Sequence, residues 1–322
     1  LLNQTITAVM GLEIGHYTDS EHATGCTVFL CREGAVGGVD VRGGSPGTRE
    51  TDLLRPMNRV DRVHAVVLSG GSAFGLDAAS GVVSYLESQG IGHKVGRVVV
   101  PIVSSAILYD LGLITSEVRP GPEEGRSACL CASFDPMDEG SVGAGTGAVV
   151  GKLGGRERGV KGGIGSAVIT LSTGQTVAAA VAVNAVGGIW DYTKGQILAG
   201  PRKAGGGFDD SVELLLQGGA NAEAGPVNTT IGLVATDAWI TKEDANYLAR
   251  ISHDGLALAI RPCHTDRDGD TMFAMATGHN QSTVDLTALG AAAVEVTAQA
   301  VLRAVRLATG LGGIPSVSEL GA

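Results

Sequence analysis

Aromatic and charged residues are both scarce in this sequence. Of its 322 residues, 4% are Phe, Trp or Tyr and 17% are charged, with a net charge of −10 and no basic cluster. Proteins that bind nucleic acid or an anionic membrane surface need a positive face, so neither is expected as a partner. The chain is still 44% hydrophobic, which suffices to bury a core and argues against disorder over the whole length.

Cysteine is scarce too, and its spacing carries no site signature. The odd number and the lack of a C-x-x-C pair argue against a disulfide framework and a metal site; the five cysteines are Cys26, Cys31, Cys129, Cys131 and Cys263. We expect buried free thiols, with Cys129 and Cys131 on one face of a strand. The N-terminal segment has no basic leader with an apolar core, and no apolar run approaches a bilayer span. A soluble, cytoplasmic protein is therefore predicted.

Glycine, by contrast, is abundant. Its 50 occurrences follow no collagen period and lie between short runs of alanine and valine, and they are roughly twice the average usage of about 7%. Small residues allow backbones to approach closely and to turn sharply. The composition therefore predicts a tightly layered protein, in which a buried sheet packs against helices rich in small residues.

The hydrophobic pattern mixes strands and helices without a strict β-α-β rhythm and without an internal repeat. Helices are predicted over 74–90, 241–260 and 287–307, and strands over 97–103, 166–172, 176–188, 229–236 and 271–278. Segment 25–41 predicts two strands joined in a hairpin at 32–34. Residues 191–227, rich in glycine around one short helical run, predict a long exposed linker. This order favours an α+β layered sandwich over a doubly wound sheet.

Two glycine-rich segments resemble anion-binding turns. Segment 142–155 imitates a dinucleotide fingerprint and the end of a phosphate loop, but Thr146 and Leu153 stand where a phosphate loop needs Gly and Ser or Thr. The dinucleotide motif also lacks its preceding strand and its later acid. In 68–79 a glycine turn opens a helix and could present N–H groups to an anion, although a tight turn explains it better. Close backbone packing is preferred, and no cofactor is predicted.

The junction 225–237 joins the predicted linker to a buried strand whose first residue is Thr229. By spacing alone this is an ordinary strand start. An N-terminal threonine is nevertheless chemically useful, because its own α-amine can act as the base for its hydroxyl. Before cleavage, the same hydroxyl can attack the Asn228 carbonyl and exchange the amide for an ester, which water then hydrolyses.

Two acids, Asp268 and Asp270, flank one glycine just before the predicted strand at 271–278. They could ligate a metal, but there is no third ligand at a familiar spacing and the calcium-loop pattern is not met. A solvated turn is the simplest interpretation. Beside a nucleophile, the two carboxylates would instead orient its amine and raise its basicity.

Six segments occur together in one order along most of the chain: GGSAFGLDAA (70–79), SSAILYD (104–110), AGTGAVVGK (144–152), VNAVG (183–187), NTT (228–230) and HTDRDGDT (264–271). As a set they resemble the DmpA-type aminopeptidases and their relatives, the nylon-oligomer (aminohexanoate-oligomer) hydrolases. The resemblance implies a four-layer αββα sandwich of the N-terminal-nucleophile hydrolase type. It also implies a single domain over 1–322 that cuts itself after Asn228 into 1–228 and 229–322.

The same resemblance assigns roles to six residues by motif. Thr229 would be the nucleophile, and Asp268 and Asp270 would orient its amine and hydroxyl. The other three would act on the substrate or its oxyanion: Lys152 adds a positive charge at the nucleophile or the carbonyl, Asn184 donates to the oxyanion, and Tyr109 binds or polarises the substrate. No metal or cofactor is implied, and the family forms homo-oligomers, tetramers or larger.

The leading hypothesis is thus a self-processing amidase or peptidase for small peptides, amino-acid amides or ω-amino-acid oligomers. Asn before a Thr nucleophile, with Asp at both acidic positions, favours the nylon-oligomer branch, since the DmpA-type enzymes have Ser as nucleophile and Ser and Glu at those acidic positions. An aminopeptidase that releases N-terminal residues is the alternative among enzymes. A non-catalytic, unprocessed binding or scaffold member and a nucleotide-binding protein are the alternatives of other classes.

Overall fold

The computed structural model describes residues 3–218 and 228–321. Within these residues the helices are Ala78–Ser88 (α1), Pro122–Leu130 (α2), Ser211–Leu216 (α3), Lys242–Ala259 (α4) and Leu286–Arg306 (α5). A 3-10 turn, Ser72–Asp77, leads directly into α1. The glycine turn of 68–79 is therefore a strand-to-helix connection.

Strands account for much of the remaining described chain. They are Glu13–Asp19 (β1), Thr24–Val41 (β2), Thr48–Arg49 (β3), Arg62–Ser69 (β4), His93–Val95 (β5), Val98–Val100 (β6), Val103–Ile107 (β7), Val149–Val150 (β8), Val160–Lys161 (β9), Gly163–Thr170 (β10), Thr176–Asn184 (β11), Gly188–Asp191 (β12), Gln196–Ala199 (β13), Thr229–Ala238 (β14), Ile260–Arg261 (β15) and Thr271–Asn280 (β16).

Nine strands form one large sheet in the order β10-β11-β14-β16-β2-β4-β7-β3, with β1 paired to β2 outside that path. Strands β14 and β16 are parallel, as are β4 and β7, and the other neighbours are antiparallel. Strand β14 lies between β11 and β16. Its first residue, Thr229, pairs with Asn184 of β11, and its pairing with β16 begins two residues later, at Ile231.

Strand β2 runs unbroken for 18 residues, so the predicted hairpin at 32–34 is wrong. The register of β2 against β4 shifts between Leu30 and Ala35, and Gly34 adopts a left-handed φ of +77° there. Such an irregularity redirects a strand without ending it. The first half of β2 pairs with β1 and β4 and the second half with β16. A glycine at a bulge and a glycine at a turn give the same sequence signal.

The two halves of the sheet pack face to face, and helices cover both outer faces. Helices α4 and α5 lie on β10, β11, β14 and β16, and helices α1 and α2 lie on β2, β4 and β7. A third apolar cluster between the halves includes Phe29, Leu68, Leu233 and Phe273. These layers run α, β, β, α, so the predicted four-layer α+β sandwich is confirmed.

Helices and strands with clear local signals form where they were predicted. The helices predicted over 74–90, 241–260 and 287–307 are present as α1, α4 and α5, with small shifts at their ends. The strands predicted over 166–172, 176–188, 229–236 and 271–278 are present as β10, β11, β14 and β16. In these segments the local pattern and the tertiary environment favour the same structure.

Side-chain caps fix the start of both long helices. The Thr241 hydroxyl accepts the Asp244 N–H at 3.2 Å, and the Asp244 carboxylate accepts the Thr241 N–H at 3.0 Å, which is a capping box. Asp285 caps α5 by accepting two backbone N–H groups. Helix α5 is long and apolar enough to cross a membrane, but 67% of its apolar window is buried inside the protein. It is a core helix of the sandwich.

The predicted exposed linker at 191–227 is wrong over much of its length. The end of β12, all of β13 and helix α3 lie within it, and Asp191, Ala199 and Ser211 are buried. The Asp191 carboxylate accepts hydrogen bonds from Thr193 and from Arg306 of α5, which ties the segment to the core. Residues 219–227 lie outside the described residues. Short strands between glycine turns have the composition of a loop, which explains the error.

Two smaller predictions also need correction. Cys129 lies in α2 and Cys131 follows its last residue, so the pair is not on a strand, and Cys131 is exposed. The strand predicted over 97–103 divides into β6 and β7. Pro101 lies between the two strands and has no N–H to donate to a sheet.

Gly165 of β10 allows a test of the small-residue packing. A β-carbon at this position would overlap the backbone of Ala300 and Ala304 in α5, and the φ of Gly165 is not left-handed, so the conflict is steric. We expect Gly165→Ala to displace α5 and to reduce the free energy of unfolding by about 1–3 kcal/mol. Thermal denaturation beside the parent protein measures this loss.

Gly205→Ala is the matched control, because a β-carbon at Gly205 meets open space. Its effect should stay within about 0.5 kcal/mol. Equal melting temperatures for the Gly165 variant and the parent would contradict the close packing of α5 on β10.

Candidate active site

Thr229 lies at the N-terminal end of β14 and is only 4% exposed. It pairs with Asn184, the last residue of β11. Its hydroxyl donates a hydrogen bond to the carbonyl oxygen of Asn228, the residue directly before it. The hydroxyl is therefore in contact with the peptide group that the sequence predicts it to attack.

The Asn228 carbonyl oxygen has a second donor. The backbone N–H of Gly269 donates to it over 3.0 Å, and a parallel bridge between Asn228 and Asp268 aligns the 265–270 loop with the start of β14. A β-carbon on Gly269 would lie 2.8 Å from the Thr229 Oγ1, so glycine keeps this approach open. Donors aimed at a carbonyl oxygen stabilise the negative charge that develops there when its carbon is attacked.

Residues 42–45 hold the 265–270 loop against the strand. The N–H groups of Arg42 and Gly43 donate to the Asp270 carbonyl, and the Ser45 N–H donates to the Asp268 carbonyl at 2.8 Å. A β-carbon on Gly43 would overlap the backbone of Asp268 and Asp270. The two glycines of the RGGS segment thus allow one loop to lie directly on another.

Both oxygens of the Asp270 carboxylate accept hydrogen bonds. Its Oδ1 accepts the Thr230 N–H at 2.6 Å, and its Oδ2 accepts the backbone N–H of His264 at 3.0 Å and the Nδ1 of the same residue at 2.7 Å. Burial is the largest single effect and disfavours a charged imidazole, but the hydrogen bonds and charges of Asp270 and Cys263 together outweigh it and raise the pKa of His264 to about 10. The two side chains therefore form a buried ion pair at neutral pH.

Only one oxygen of the Asp268 carboxylate accepts hydrogen bonds from the described residues. Its Oδ2 accepts the N–H and the hydroxyl of Thr265 at 2.9 and 2.6 Å. Its Oδ1 is buried and has no hydrogen-bond partner among the residues that the structure describes. Burial first, and then the negative charge of Asp270, raise the pKa of Asp268 to about 6, against the opposing effect of the Thr265 hydrogen bonds and Lys152. Asp268 can therefore accept and release a proton near neutral pH.

Asn184 links the remaining predicted residues to Thr229. The buried Lys152 Nζ donates to the Asn184 main-chain oxygen at 2.7 Å and to its Oδ1 at 2.9 Å. The Val149 N–H also donates to the Oδ1, at 3.0 Å. The Asn184 Nδ2 donates to the Tyr109 carbonyl oxygen at 2.9 Å. These contacts place the Lys152 amine and the Tyr109 main chain around the residue that pairs with Thr229.

The charge on Lys152 depends on its buried neighbours. Burial, followed by the positive charge of Arg156, holds the pKa of Lys152 well below its usual value, while Asp268 and Asp270 act in the opposite direction. Lys152 therefore gives up its proton more readily than an exposed lysine does. The positive charge predicted at Lys152 is therefore not fixed, because the amine can exchange a proton with Asp268 and Asp270.

Tyr109 contributes its main chain and its ring in different ways. Its carbonyl oxygen accepts from Asn184, and its half-buried ring lies 5.9 Å from the Arg156 guanidinium carbon. The next residue, Asp110, is buried and accepts the Gly71 N–H at 2.7 Å, which fixes the 108–110 segment on the glycine turn. The glycine turn at Gly71 thus holds Tyr109 in place through its hydrogen bond to the adjacent Asp110.

The structure thus connects all six predicted site residues: Tyr109, Lys152, Asn184, Thr229, Asp268 and Asp270. Sequence reasoning missed His264, Thr265 and Gly269, which hold the two carboxylates and the Asn228 carbonyl. A hydroxyl residue three positions before Asp268 was the available signal, since such spacing is typical of local side-chain hydrogen bonds. In residues 3–218 and 228–321, no group of three His, Cys, Asp or Glu side chains is arranged to hold a metal ion.

Comparison with known sequences finds similarity over nearly the whole chain. The profile of peptidase family S58 matches residues 4–317. An uncharacterized aminopeptidase of Mycobacterium bovis is 40% identical, over 98% of this chain and 97% of the relative. A 6-aminohexanoate-oligomer endohydrolase of Paenarthrobacter ureafaciens is 33% identical, over 91% of this chain and 84% of the relative.

Solved structures share the same fold. A β-aminopeptidase of Burkholderia sp. superposes with a TM-score of 0.71 at 22% identity, over 99% of this chain and 92% of that one. An L-aminopeptidase D-Ala-esterase/amidase of Ochrobactrum anthropi, described as a new variant of the Ntn-hydrolase fold, superposes with a TM-score of 0.70 at 20% identity, over 97% and 88%. The expected fold of the N-terminal-nucleophile hydrolase type is confirmed.

The ion pair between His264 and Asp270 should make stability depend on pH. The pKa of His264 rises from 6.5 to about 10 on folding, so its contribution is complete below pH 6.5 and is lost as the pH rises towards 10. His264→Asn keeps a donor at the Nδ1 position but carries no charge. The stability difference between parent and variant should therefore be largest near pH 6.5 and shrink towards pH 10.

Urea unfolding across this pH range, with both chains carrying Thr229→Ala to keep them intact, measures the difference. Other titrating groups are common to the two chains and cancel. A difference that stays constant with pH would show that His264 is not charged in the folded protein.

Proposed function

The chain belongs to peptidase family S58 and is a hydrolase of amide or peptide bonds, and we propose that it cuts itself between Asn228 and Thr229 and then uses Thr229 as an N-terminal nucleophile. The observation that carries this proposal is the hydrogen bond from the Thr229 hydroxyl to the Asn228 carbonyl, whose oxygen also accepts the Gly269 N–H. A threonine that merely started a strand would need neither contact.

Cleavage would proceed by transfer of the Asn228 acyl group from nitrogen to oxygen. The Thr229 oxygen forms a bond to the Asn228 carbonyl carbon, the Gly269 N–H stabilises the resulting oxyanion, and the C–N bond then breaks. The hydroxyl proton moves to the open Oδ1 of Asp268, and Asp268 returns it to the departing nitrogen, which becomes the amine. Water hydrolyses the ester, which leaves Asn228 with a carboxylate and Thr229 with a free hydroxyl.

The mature enzyme would use the same groups on a substrate amide. The free Thr229 α-amine, with an ordinary pKa of about 7.7–8.0, acts as the base for the hydroxyl. Asp268 and Asp270 orient and stabilise that amine. Asn184, which pairs with Thr229 at the end of β11, and Lys152, which donates to Asn184, stabilise charge on the substrate carbonyl. Tyr109 borders the site next to Asn184 and contacts the substrate.

Small amides are the proposed substrates: short peptides, amino-acid amides or ω-amino-acid oligomers. Two relatives support different members of this group, since one is named an aminopeptidase and the other a 6-aminohexanoate-oligomer endohydrolase. Asn228 before a Thr nucleophile and Asp at positions 268 and 270 favour the oligomer hydrolases. The higher identity to the aminopeptidase favours release of N-terminal residues. Turnover of L-amino-acid p-nitroanilides against 6-aminohexanoate oligomers discriminates between the two.

We further propose that the protein is cytoplasmic and forms a homo-oligomer, a tetramer or larger. Free cysteines, three of them buried, suit a reducing compartment. The β5–β6 hairpin exposes Val95, Val98 and Val100, which offers apolar surface for a second copy.

Substitution of Thr229 tests the nucleophile directly. Thr229→Ala removes the hydroxyl, so we expect a single uncut chain without turnover. Thr229→Ser keeps a hydroxyl and should retain both cleavage and activity, at a reduced rate. Intact mass under denaturing conditions and an amide-hydrolysis assay measure the two properties. A cleaved or active Thr229→Ala protein would contradict the mechanism, and an uncut parent chain would favour the non-catalytic binding protein.

Substitution of Lys152 tests its role in charge stabilisation. Lys152→Met removes the amine at similar side-chain length, and we expect kcat to fall by about 10²–10³-fold. Folding should be retained, because replacing a buried charge with an apolar group is often neutral. Lys242→Met is the control, since Lys242 is also buried and donates to three carbonyls but lies on α4. If Lys152→Met lowers the melting temperature and reduces kcat no more than Lys242→Met does, the role of Lys152 is structural.

A further inference from the structure

The two carboxylates of the site differ in what surrounds them, and His264 makes the difference. Asp270 accepts three hydrogen bonds, two of them from His264, whereas Asp268 keeps one buried oxygen without a partner among the described residues. Two buried carboxylates so close in sequence repel each other when both are ionised. A cation bound to only one of them offsets that repulsion and makes the two carboxylates unequal.

The backbone holds His264 in a conformation suited to this contact. Its φ of +56° is left-handed, an uncommon conformation that His, Asn and Asp adopt more often than most residues. In this conformation both its main-chain N–H and its ring Nδ1 donate to the same oxygen of Asp270. The imidazole therefore binds Asp270 at two points within a single residue.

The other groups around His264 do not compete for Asp270. The His253 ring, on α4, packs edge-on against His264 with the ring centroids 4.7 Å apart. Burial lowers the pKa of His253 to about 4, and the Asp40 carbonyl lies 3.1 Å from its Nε2. The neighbouring ring is thus neutral. Among the described residues, Asp40 and Arg42 face His253, and the Cys263 side chain faces His264 and favours its charged form.

We propose that His264 is a positioning residue that holds the Asp270 carboxylate in place against the Thr230 N–H by its two-point contact, and thereby leaves the proton transfer to Asp268. This inference rests on the proposed function and names a residue that the proposal does not use. The Thr230 N–H belongs to the residue after the nucleophile, so the His264–Asp270 pair also fixes the start of β14, where the Thr229 hydroxyl meets the Asn228 carbonyl.

Two amide substitutions separate this role from a merely structural one. In His264→Asn the side-chain amide occupies the Nδ1 position and can still donate to Asp270, and Asn tolerates the left-handed φ. In His264→Gln the amide reaches instead towards the Nε2 position, away from Asp270. Both variants are neutral and polar, but they differ in the donor that they offer to Asp270 and in their tolerance of the left-handed φ, so their melting temperatures are measured beside the rates.

The test is the rate of self-cleavage after cell-free synthesis of the full chain, followed by intact mass across a range of pH, with kcat and KM of the matured protein. We expect His264→Gln to slow cleavage and kcat by about 10²-fold, the scale of a misplaced reacting group, with little change in KM. His264→Asn should recover most of the rate at neutral pH. The acid limb of the pH–rate profile of His264→Asn should move to higher pH, because the site has lost a positive charge.

Each outcome decides the inference. Rates equal to the parent for both variants would overturn it, as would losses of rate that follow a fall in melting temperature, since a structural role acts through stability. Recovery by Asn together with the shifted pH profile supports it. A parent chain that neither cleaves nor turns over amides overturns the proposed function and this inference with it, whereas a cleaving parent with unaffected variants overturns only the role of His264.

Discussion

The hydrogen bond between the Gly269 N–H and the Asn228 carbonyl oxygen is the contact on which the site depends. It aligns the 265–270 loop with the residues that lead into β14, and the loop then presents Asp268 and Asp270 beside Thr229. The alignment requires glycine at position 269, because any β-carbon there would meet the Thr229 hydroxyl. One backbone contact thus orients the predicted scissile carbonyl, admits the hydroxyl and positions both acids.

The charged groups of the site are stable only as a set. Lys152, Asp268, Asp270 and His264 are largely withdrawn from water, where an isolated charge is costly. The His264–Asp270 pair neutralises one charge of each sign by direct contact. Asp268 and Lys152 are left with pKa values displaced towards neutrality, upward for the acid and downward for the amine. Such displacement suits groups that exchange protons during a reaction, and it is frequent at functional sites.

Small residues make the surrounding sandwich possible. At Gly165 the sheet lies against α5, and at Gly43 one loop lies against another, in each case with backbone where a side chain would otherwise stand. Strand β2 joins the two halves of the sheet because its bulge near Gly34 redirects the strand without interrupting it. The same close packing lets β14 start between two neighbours, so that Thr229 is buried at the point where the chain enters the sheet.

By itself the sequence determined the elements with strong local signals and, through its ordered motifs, the family, and it predicted six site residues that the structure connects. Helix α4, with its capping box at Thr241, and strand β14 are examples in which local preference and tertiary packing agree. The tertiary structure alone decided that 25–41 is one bulged strand, that much of 191–216 belongs to the fold, and that His264, Thr265 and Gly269 hold the carboxylates and the Asn228 carbonyl. The reason is physical. Periodicity reports which face of a segment is buried, whereas a hydrogen-bond partner depends on which segments the fold brings side by side.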